Sequence, residues 1–383
     1  MSRRAGVVGT LLVALALTGG VFAMRGERRA PIAAHLTVAE ALSAGDLTGF
    51  ARAEAPPAFV FPRDHGPHPA FRTEWWYWTG NLAAPDGRRF GFQLTFFRTA
   101  LTPEAEARGS AWGANQVYLA HFAVTDVAGR HFGAWRRTER FALGLAGAEP
   151  EPFRVWVDEW EARGEGATGP PVRLRASEGD TAIDLTLDGG KPVLLQGTRG
   201  LSRKGAEPGN ASYYYSLTRM PARGAVTVGG QRFEVTGLAW MDREWSTSAL
   251  GAELAGWDWV ALQLDDGRDL MFYRLRRKDG GADRFSAGTI VDSAGGARTL
   301  SLDDVTLEPV DAWTSPRSGA RYPARWRLRI AELALELEVT PVLADQELDV
   351  GTRYWEGAVT VSGAERSRTV SGRGYLEMVG YGP

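Results

Sequence analysis

The sequence predicts an all-β protein made of two tandem antiparallel domains, each a barrel or a sandwich. Three observations carry this. First, apolar and polar residues alternate in several runs. Ile183, Leu185 and Leu187 alternate with Asp184, Thr186 and Asp188. Trp326, Leu328 and Ile330 alternate with Arg325, Arg327 and Arg329, and Leu333, Leu335, Leu337 and Val339 follow with Glu336 and Glu338 between them. A period of two puts one strand face in a core and the other in water. Second, Asp-Gly pairs at 86–87, 188–189, 266–267 and 279–280 separate strand-like runs and read as hairpin turns. The 47 glycines fit such a turn-rich body, and no sustained helical period follows Phe59. Third, the chain repeats itself weakly. Trp76-Tyr77-Trp78, Asp86-Gly87-Arg88 and Phe96-Phe97-Arg98 are echoed by Trp257-Asp258-Trp259, Asp266-Gly267-Arg268 and Phe272-Tyr273-Arg274. Two similar β domains produce such a pattern, with Glu74–Trp78 and Trp257–Trp259 in equivalent strands. The boundary then falls close to Ser246, giving domains at 57–246 and 247–383.

In chain order, Arg3-Arg4 followed by an apolar run over residues 5–23 has the form of a signal peptide, with Val21-Phe22-Ala23 at the cleavage spacing. Export to the periplasm or the extracellular space is the expectation, and an uncleaved anchor is the alternative. Membrane association is expected only through this segment. Residues 24–56 read as a linker. Within it Thr37-Val38-Ala39-Glu40 is a capping box, which predicts a short helix over residues 38–43. Pro56 and Pro57 mark entry into the first domain.

The densest stretch is Arg72-Thr-Glu-Trp-Trp-Tyr-Trp-Thr-Gly-Asn-Leu82. As a strand, it sends Glu74, Trp76 and Trp78 to one face and Trp75, Tyr77 and Thr79 to the other. Both faces are aromatic, so one should pack a core and the other line a cavity or a second layer. Glu74 reads in two ways: as a partner of Arg72 or Arg98, or as a carboxyl raised in pKa by an apolar pocket.

A second dense stretch is Gly237-Leu-Ala-Trp-Met-Asp-Arg-Glu-Trp-Ser246. Trp240, Asp242 and Glu244 share one face, while Met241, Arg243 and Trp245 share the other. Two carboxylates two residues apart raise each other's pKa, which is how an acid stays protonated at neutral pH. A structural network through Arg243 is the alternative.

Composition sets limits. The charged fraction is 23% and the net charge −2, so no nucleic-acid partner is implied. The absence of cysteine excludes disulfides, thiolate metal sites and cysteine nucleophiles. The 14 Trp and 10 Tyr point to ligand pockets or interfaces. His65, His68 and His121 offer a metal site on paper, but their spacing favours hydrogen-bonded roles, and no metal or other cofactor is expected. No Gly-x-Ser-x-Gly and no phosphate-binding glycine loop occurs. The basic segment Gly200-Leu-Ser-Arg-Lys-Gly205 fits an anion site or a solvated turn.

Taken with His121-Phe-Ala-Val-Thr-Asp126, Asn210-Ala-Ser-Tyr-Tyr-Tyr-Ser-Leu-Thr-Arg219, Gly256-Trp-Asp-Trp259, Tyr354-Trp-Glu-Gly357 and Gly372-Arg-Gly-Tyr-Leu-Glu377, these stretches resemble the carotenoid 1,2-hydratase/AttH-like (CrtC-like) family, in its secreted branch. The resemblance runs from about Pro57 to Tyr381. It implies two lipocalin-like β-barrels in tandem and an apolar isoprenoid- or lipid-like ligand. In the hydratase branch an acid protonates a terminal alkene, aromatic faces shelter the cation and water captures it. Asp242, Glu244, Trp245 and Tyr273 fall where such catalytic groups are expected. Glu74, Trp75, Trp76, Tyr77, Trp78, His121, Arg243, Trp257 and Trp259 are the expected ligand contacts. The family pattern reads Asp-His-x-Trp at 242–245, and Arg243 replaces its histidine with a group that cannot shuttle a proton. The other role the resemblance offers is an exported, non-catalytic carrier of hydrophobic ligands beside an ABC-type transporter.

Overall fold

The computed structural model of the chain describes residues 47–104, 110–166, 169–248 and 250–382. The signal segment and the helix expected over residues 38–43 lie outside them. The described residues contain no α-helix, only 3-10 turns at Arg63–His65 and Ala331–Leu333. They form two antiparallel sheets, each curled into a barrel-like domain. The first sheet holds β1 (Thr73–Ala83), β2 (Arg89–Ala100), β3 (Gln116–Asp126), β4 (His131–Arg140), β5 (Ala146–Pro150), β6 (Phe153–Val157), β7 (Trp160–Gly166), β8 (Gly169–Glu178), β9 (Thr181–Leu187), β10 (Leu194–Leu195), β11 (Leu201–Arg203), β12 (Ala211–Val228) and β13 (Gln231–Ser246). The second holds β14 (Leu254–Leu264), β15 (Asp269–Arg277), β16 (Ala287–Val291), β17 (Ala297–Ser301), β18 (Val305–Thr314), β19 (Arg321–Ile330), β20 (Leu335–Pro341), β21 (Glu347–Asp349), β22 (Arg353–Glu365) and β23 (Arg368–Val379). The change of sheet falls between Ser246 and Leu254.

Period-two patterning accounts for both cores. In β9 every second residue is buried, with Ile183, Leu185 and Leu187 inside. In β19 and β20, Trp326, Leu328, Leu337 and Val339 point inward, while outside Arg329 pairs with Glu336 and Arg325 with Glu338. A third cluster, including Tyr77, Tyr214, Trp240, Trp259, Tyr273 and Tyr375, joins one sheet to the other.

The repeated hairpins are built alike. Gly87 and Gly267 both sit at φ +87°, a left-handed value that glycine adopts without steric cost. In each turn the Asp side chain accepts from the Arg two residues on, Asp86 from the Arg88 N–H and Asp266 from the Arg268 N–H. Counted back from these turns, however, Tyr77 and not Trp76 corresponds to Trp257, so the tryptophan triplets are out of phase by one residue. A one-residue offset in a strand reverses the face. Trp76 and Trp78 therefore enter the first core, while Trp257 and Trp259 face the junction between the sheets.

Asp188-Gly189 is a correction. It is not a hairpin turn: β9 pairs with β8 and β12, and Asp188 instead closes the strand with its N–H donating to the Pro221 carbonyl at 2.8 Å. The pair at 279–280 makes a tight turn within the longer β15–β16 connection, where the Gly280 N–H donates to the Arg277 carbonyl at 3.0 Å.

Side-chain bonds tie the sheets together. Asn81 donates to the Gly374 carbonyl and Gln263 to the Ala239 carbonyl, both at 3.0 Å. Buried Asp269 accepts from Thr218 and from Arg219, each at 2.9 Å, and pairs with Lys191 at 2.8 Å. Such mutual satisfaction of buried polar groups holds a junction in one geometry.

Candidate functional site

A cavity of about 160 Å³ lies where the two sheets meet. Strand register explains its walls. On the first sheet Trp75 is opposite Glu244 and Tyr77 opposite Asp242, while Tyr214 and Ser216 flank the same two acids from β12. On the second sheet Trp259 sits between Tyr273 and Glu377, and Glu377 lies directly opposite Glu356. Lys204, Phe97, Trp257 and Tyr354 complete most of the lining, and Gln93 and Thr95 add a polar strip from β2.

Four carboxyl groups thus share one small aromatic space. Burial pushes Asp242 up to about 6, and Glu244 adds to the rise. Hydrogen bonds from Ser216 at 2.5 Å, Tyr214 at 2.6 Å and the Trp240 indole at 2.7 Å limit that shift. Burial raises Glu377 to about 7 against a hydrogen bond from Trp257, with Asp242 and Glu244 contributing further. Glu356 goes well above the carboxylate range through burial and the facing Glu377, although Tyr77 and Tyr354 favour its charged form. Like charges directly opposite on neighbouring strands repel, and one of the two acids relieves this by keeping its proton. Among the described lining residues Lys204 is the only Lys or Arg. It pairs with Glu244 at 3.4 Å and lies over the Tyr273 ring, 4.1 Å from its centroid. Burial disfavours its charge, but Glu244, Tyr273 and Asp242 raise its pKa.

The opposite face of β1 and β13 carries a different arrangement. Glu74 is fully buried between Arg98 and Arg243. Burial alone would raise it, yet the two guanidiniums hold it well below the carboxylate range. Arg243 also donates to the Gly66 carbonyl at 2.6 Å and the Glu244 carbonyl at 3.0 Å, and covers the Trp76 ring at 4.0 Å. His68 stacks on Trp245 at 3.7 Å between ring centroids.

Of the residues singled out by sequence, the cavity gathers Trp75, Tyr77, Asp242, Glu244, Trp257, Trp259 and Tyr273. It does not include Glu74, Trp76, Trp78, Arg243 or Trp245, which the pleat directs into the first barrel. For Glu74 the pairing with Arg98 is the correct reading, and the raised-pKa reading is overturned. His121 stands one residue removed from the cavity: its Nδ1 meets the Tyr354 hydroxyl at 2.8 Å, and burial and Arg136 lower it to about 3, so it stays neutral. His65 bonds Tyr215 at 2.6 Å, away from His121. Lys204, from the basic segment read as a turn or an anion site, instead reaches the cavity. Sequence reasoning did not select Glu356, Glu377, Tyr354, Tyr214 or Lys204. A signal for the two acids was present, since each is flanked by residues of a buried strand, as in Trp355-Glu356 and Leu376-Glu377-Met378.

The AttH-like family model matches residues 52–381. An AttH-like protein from Nitrosomonas europaea is 37% identical, with a TM-score of 0.77 over 87% of this chain and 100% of that one. Kievitone hydratase from Nectria haematococca is 15% identical, with a TM-score of 0.66 over 86% of this chain and 96% of its own. CghA in complex with Sch210972 gives 17% identity and a TM-score of 0.50, covering 88% and 97%. These last two likenesses concern the fold. No curated protein matches the chain.

Proposed function

The chain belongs to the AttH-like family, and from that premise we propose that its cavity is an acid-catalysed active site that adds water across the terminal double bond of a small apolar, isoprenoid-like group. The observation that carries this is the facing pair Glu356 and Glu377 in an aromatic-walled space. A carboxyl with no cation beside it keeps its proton at neutral pH and can deliver it.

Glu356 donates its proton to the less substituted alkene carbon, where the π electron pair forms the new C–H bond. The neighbouring carbon becomes a tertiary cation, which the ring faces of Tyr77, Trp257, Trp259 and Tyr273 stabilise. Water bonds to that carbon and releases a proton to the Asp242 carboxylate, which three donors already hold in place. Return of this proton to Glu356 closes the cycle, with one alkene and one water consumed per alcohol formed. The donor therefore shifts from Asp242 or Glu244, the sequence-based expectation, to Glu356, because Asp242 is fixed as an acceptor and Glu244 is paired with Lys204. Arg243 faces away, so its replacement of histidine leaves this route intact.

Size supports an end-on substrate. A cavity of about 150 Å³ holds one benzene, and this one is about 160 Å³. It takes the end of an isoprenoid, whereas a carrier of whole lipids needs more room. Kievitone hydratase shows that this fold hosts a hydratase, which makes the reaction class an analogy from fold. The reading includes export, on the strength of Arg3-Arg4 and the apolar run after it.

Incubation with terminal-alkene isoprenoids of graded length in deuterated water, followed by mass spectrometry, tests it. A product heavier by one water with one non-exchangeable deuterium is expected. It should vanish in Glu356→Gln while tryptophan quenching still reports binding. Unchanged alkene throughout the series overturns the reading.

A further inference from the structure

Charge on the cavity wall is unbalanced in a way that selects ligands irrespective of turnover. Among the described residues four carboxyl groups line it against a single ammonium, Lys204, which Glu244 already engages at 3.4 Å. Glu356 is 1% exposed, and its Oε1 makes no well-formed hydrogen bond, although the Tyr77 and Tyr354 hydroxyls are near its carboxyl. The Tyr77 hydroxyl faces Glu356 from the same wall without closing a well-formed hydrogen bond to it. A buried carboxyl oxygen without a donor is costly, and a cation placed beside it offsets that cost through charge, with no hydrogen bond needed. Around these oxygens stand the faces of Trp257, Trp259 and Tyr273. Aromatic faces attract a cation near the ring centre, and carboxylates attract it through charge. An incoming carboxylate meets the opposite conditions, because Glu244 already engages Lys204 and the protonated acids would be joined by a further negative charge in a low-dielectric space.

We propose that this cavity is a binding site for small organic cations of the alkylammonium class, and that it excludes carboxylates, fatty acids included. An ammonium head bearing three methyl groups places apolar carbons on the ring faces and its charge beside Glu356 and Glu377. The cavity volume, close to that of a benzene site, accommodates such a head. The site is the one assigned above to acid catalysis, but the inference deepens that reading by ligand class, since a fixed ammonium is an inert mimic of a tertiary carbocation. The two can fail separately, because an ammonium salt has no alkene to hydrate.

Three probes of nearly one shape decide the matter: choline, its neutral isostere 3,3-dimethylbutan-1-ol, and 3,3-dimethylbutanoate. Each is titrated into the full chain by calorimetry and by tryptophan fluorescence. Choline should bind about tenfold or more tighter than the alcohol, the range that cation–π and charge contacts supply in a desolvated site, and the carboxylate should not bind. Choline should displace a proton from the facing pair Glu356 and Glu377, read by calorimetry in buffers of different ionisation enthalpy, and its affinity should rise with pH. In Glu356→Gln and Glu377→Gln, choline affinity and this proton release should both fall by a larger factor than the alcohol's affinity, so a loss concentrated on the cation reports a lost ionisable carboxyl and not a lost fold. Equal binding of choline and the alcohol, failure of choline to bind, or preference for the carboxylate overturns the proposal.

Discussion

Strands β1 and β13 carry two buried acid sites back to back, and the sites manage burial in opposite ways. On the core side, Glu74 is locked between Arg98 and Arg243 and is driven to its charged form. On the cavity side, Asp242 and, across the cavity, Glu356 and Glu377 have no arginine among the described lining residues, and burial raises all three, with Asp242 held back by its three donors and Glu356 kept protonated. Alternate residues of one strand pair thus take part in different chemistry. Burial alone raises any carboxyl, and the neighbouring cations decide which sign wins. A paired acid of this kind fixes structure, while an uncompensated one is available to give a proton.

The largest expected effect breaks the compensated site. Glu74→Ala leaves two guanidiniums buried without their partner and should cost about 3–5 kcal/mol, measured by urea unfolding. Next comes the tryptophan contrast. Trp76 is fully buried in the first barrel, so Trp76→Ala should cost about 3–5 kcal/mol. Trp257 is half-buried at the cavity, so Trp257→Ala should cost clearly less stability and show its effect in ligand affinity.

The pH dependence of stability sharpens the comparison further. Asp242 and Glu377 titrate at about 6 and about 7 in the folded chain, against about 4 when unfolded. Between those values the folded state binds more protons, so stability falls as pH rises from about 4 to about 7. Each unit of displacement is worth about 1.4 kcal/mol. Glu74 has the reverse sign: its contribution is complete above its unfolded value near 4.5 and is lost as pH falls. Unfolding profiles across this range should show Glu377→Gln flattening the limb toward neutral pH and Glu74→Gln flattening the acid limb. The smallest effect concerns Arg243→His. It removes several buried hydrogen bonds and should lower stability by about 1–3 kcal/mol, yet cavity ligand affinity should not change, because the side chain is on the far face.

The all-β class and the repeated hairpins at Asp86-Gly87 and Asp266-Gly267 were legible because each rests on local pattern: alternation, turn chemistry and repetition. The β1 and β13 wall of the candidate site was legible for the same reason, since the pleat places Trp75 with Tyr77 and Asp242 with Glu244. Selecting Trp76, Trp78 and Trp245 as well took both faces of the same strands, and only the packing shows which one meets the second sheet. Glu356 and Glu377 needed the β22–β23 register and its position against β13, a relation between residues more than 100 positions apart. The basic segment around Lys204 read equally as an anion site or a solvated turn, and the Lys204 side chain instead runs along Tyr273 to Glu244.

The central claim is that an acid in the cavity keeps its proton at neutral pH. Infrared difference spectroscopy between the wild-type protein and Glu356→Gln at pH 7, with exchange into deuterated water, tests it most directly. A protonated-carboxyl carbonyl band present in the wild type, shifted on exchange and absent from the variant, is the expected result. A difference spectrum containing only ionised carboxylate bands would contradict the account.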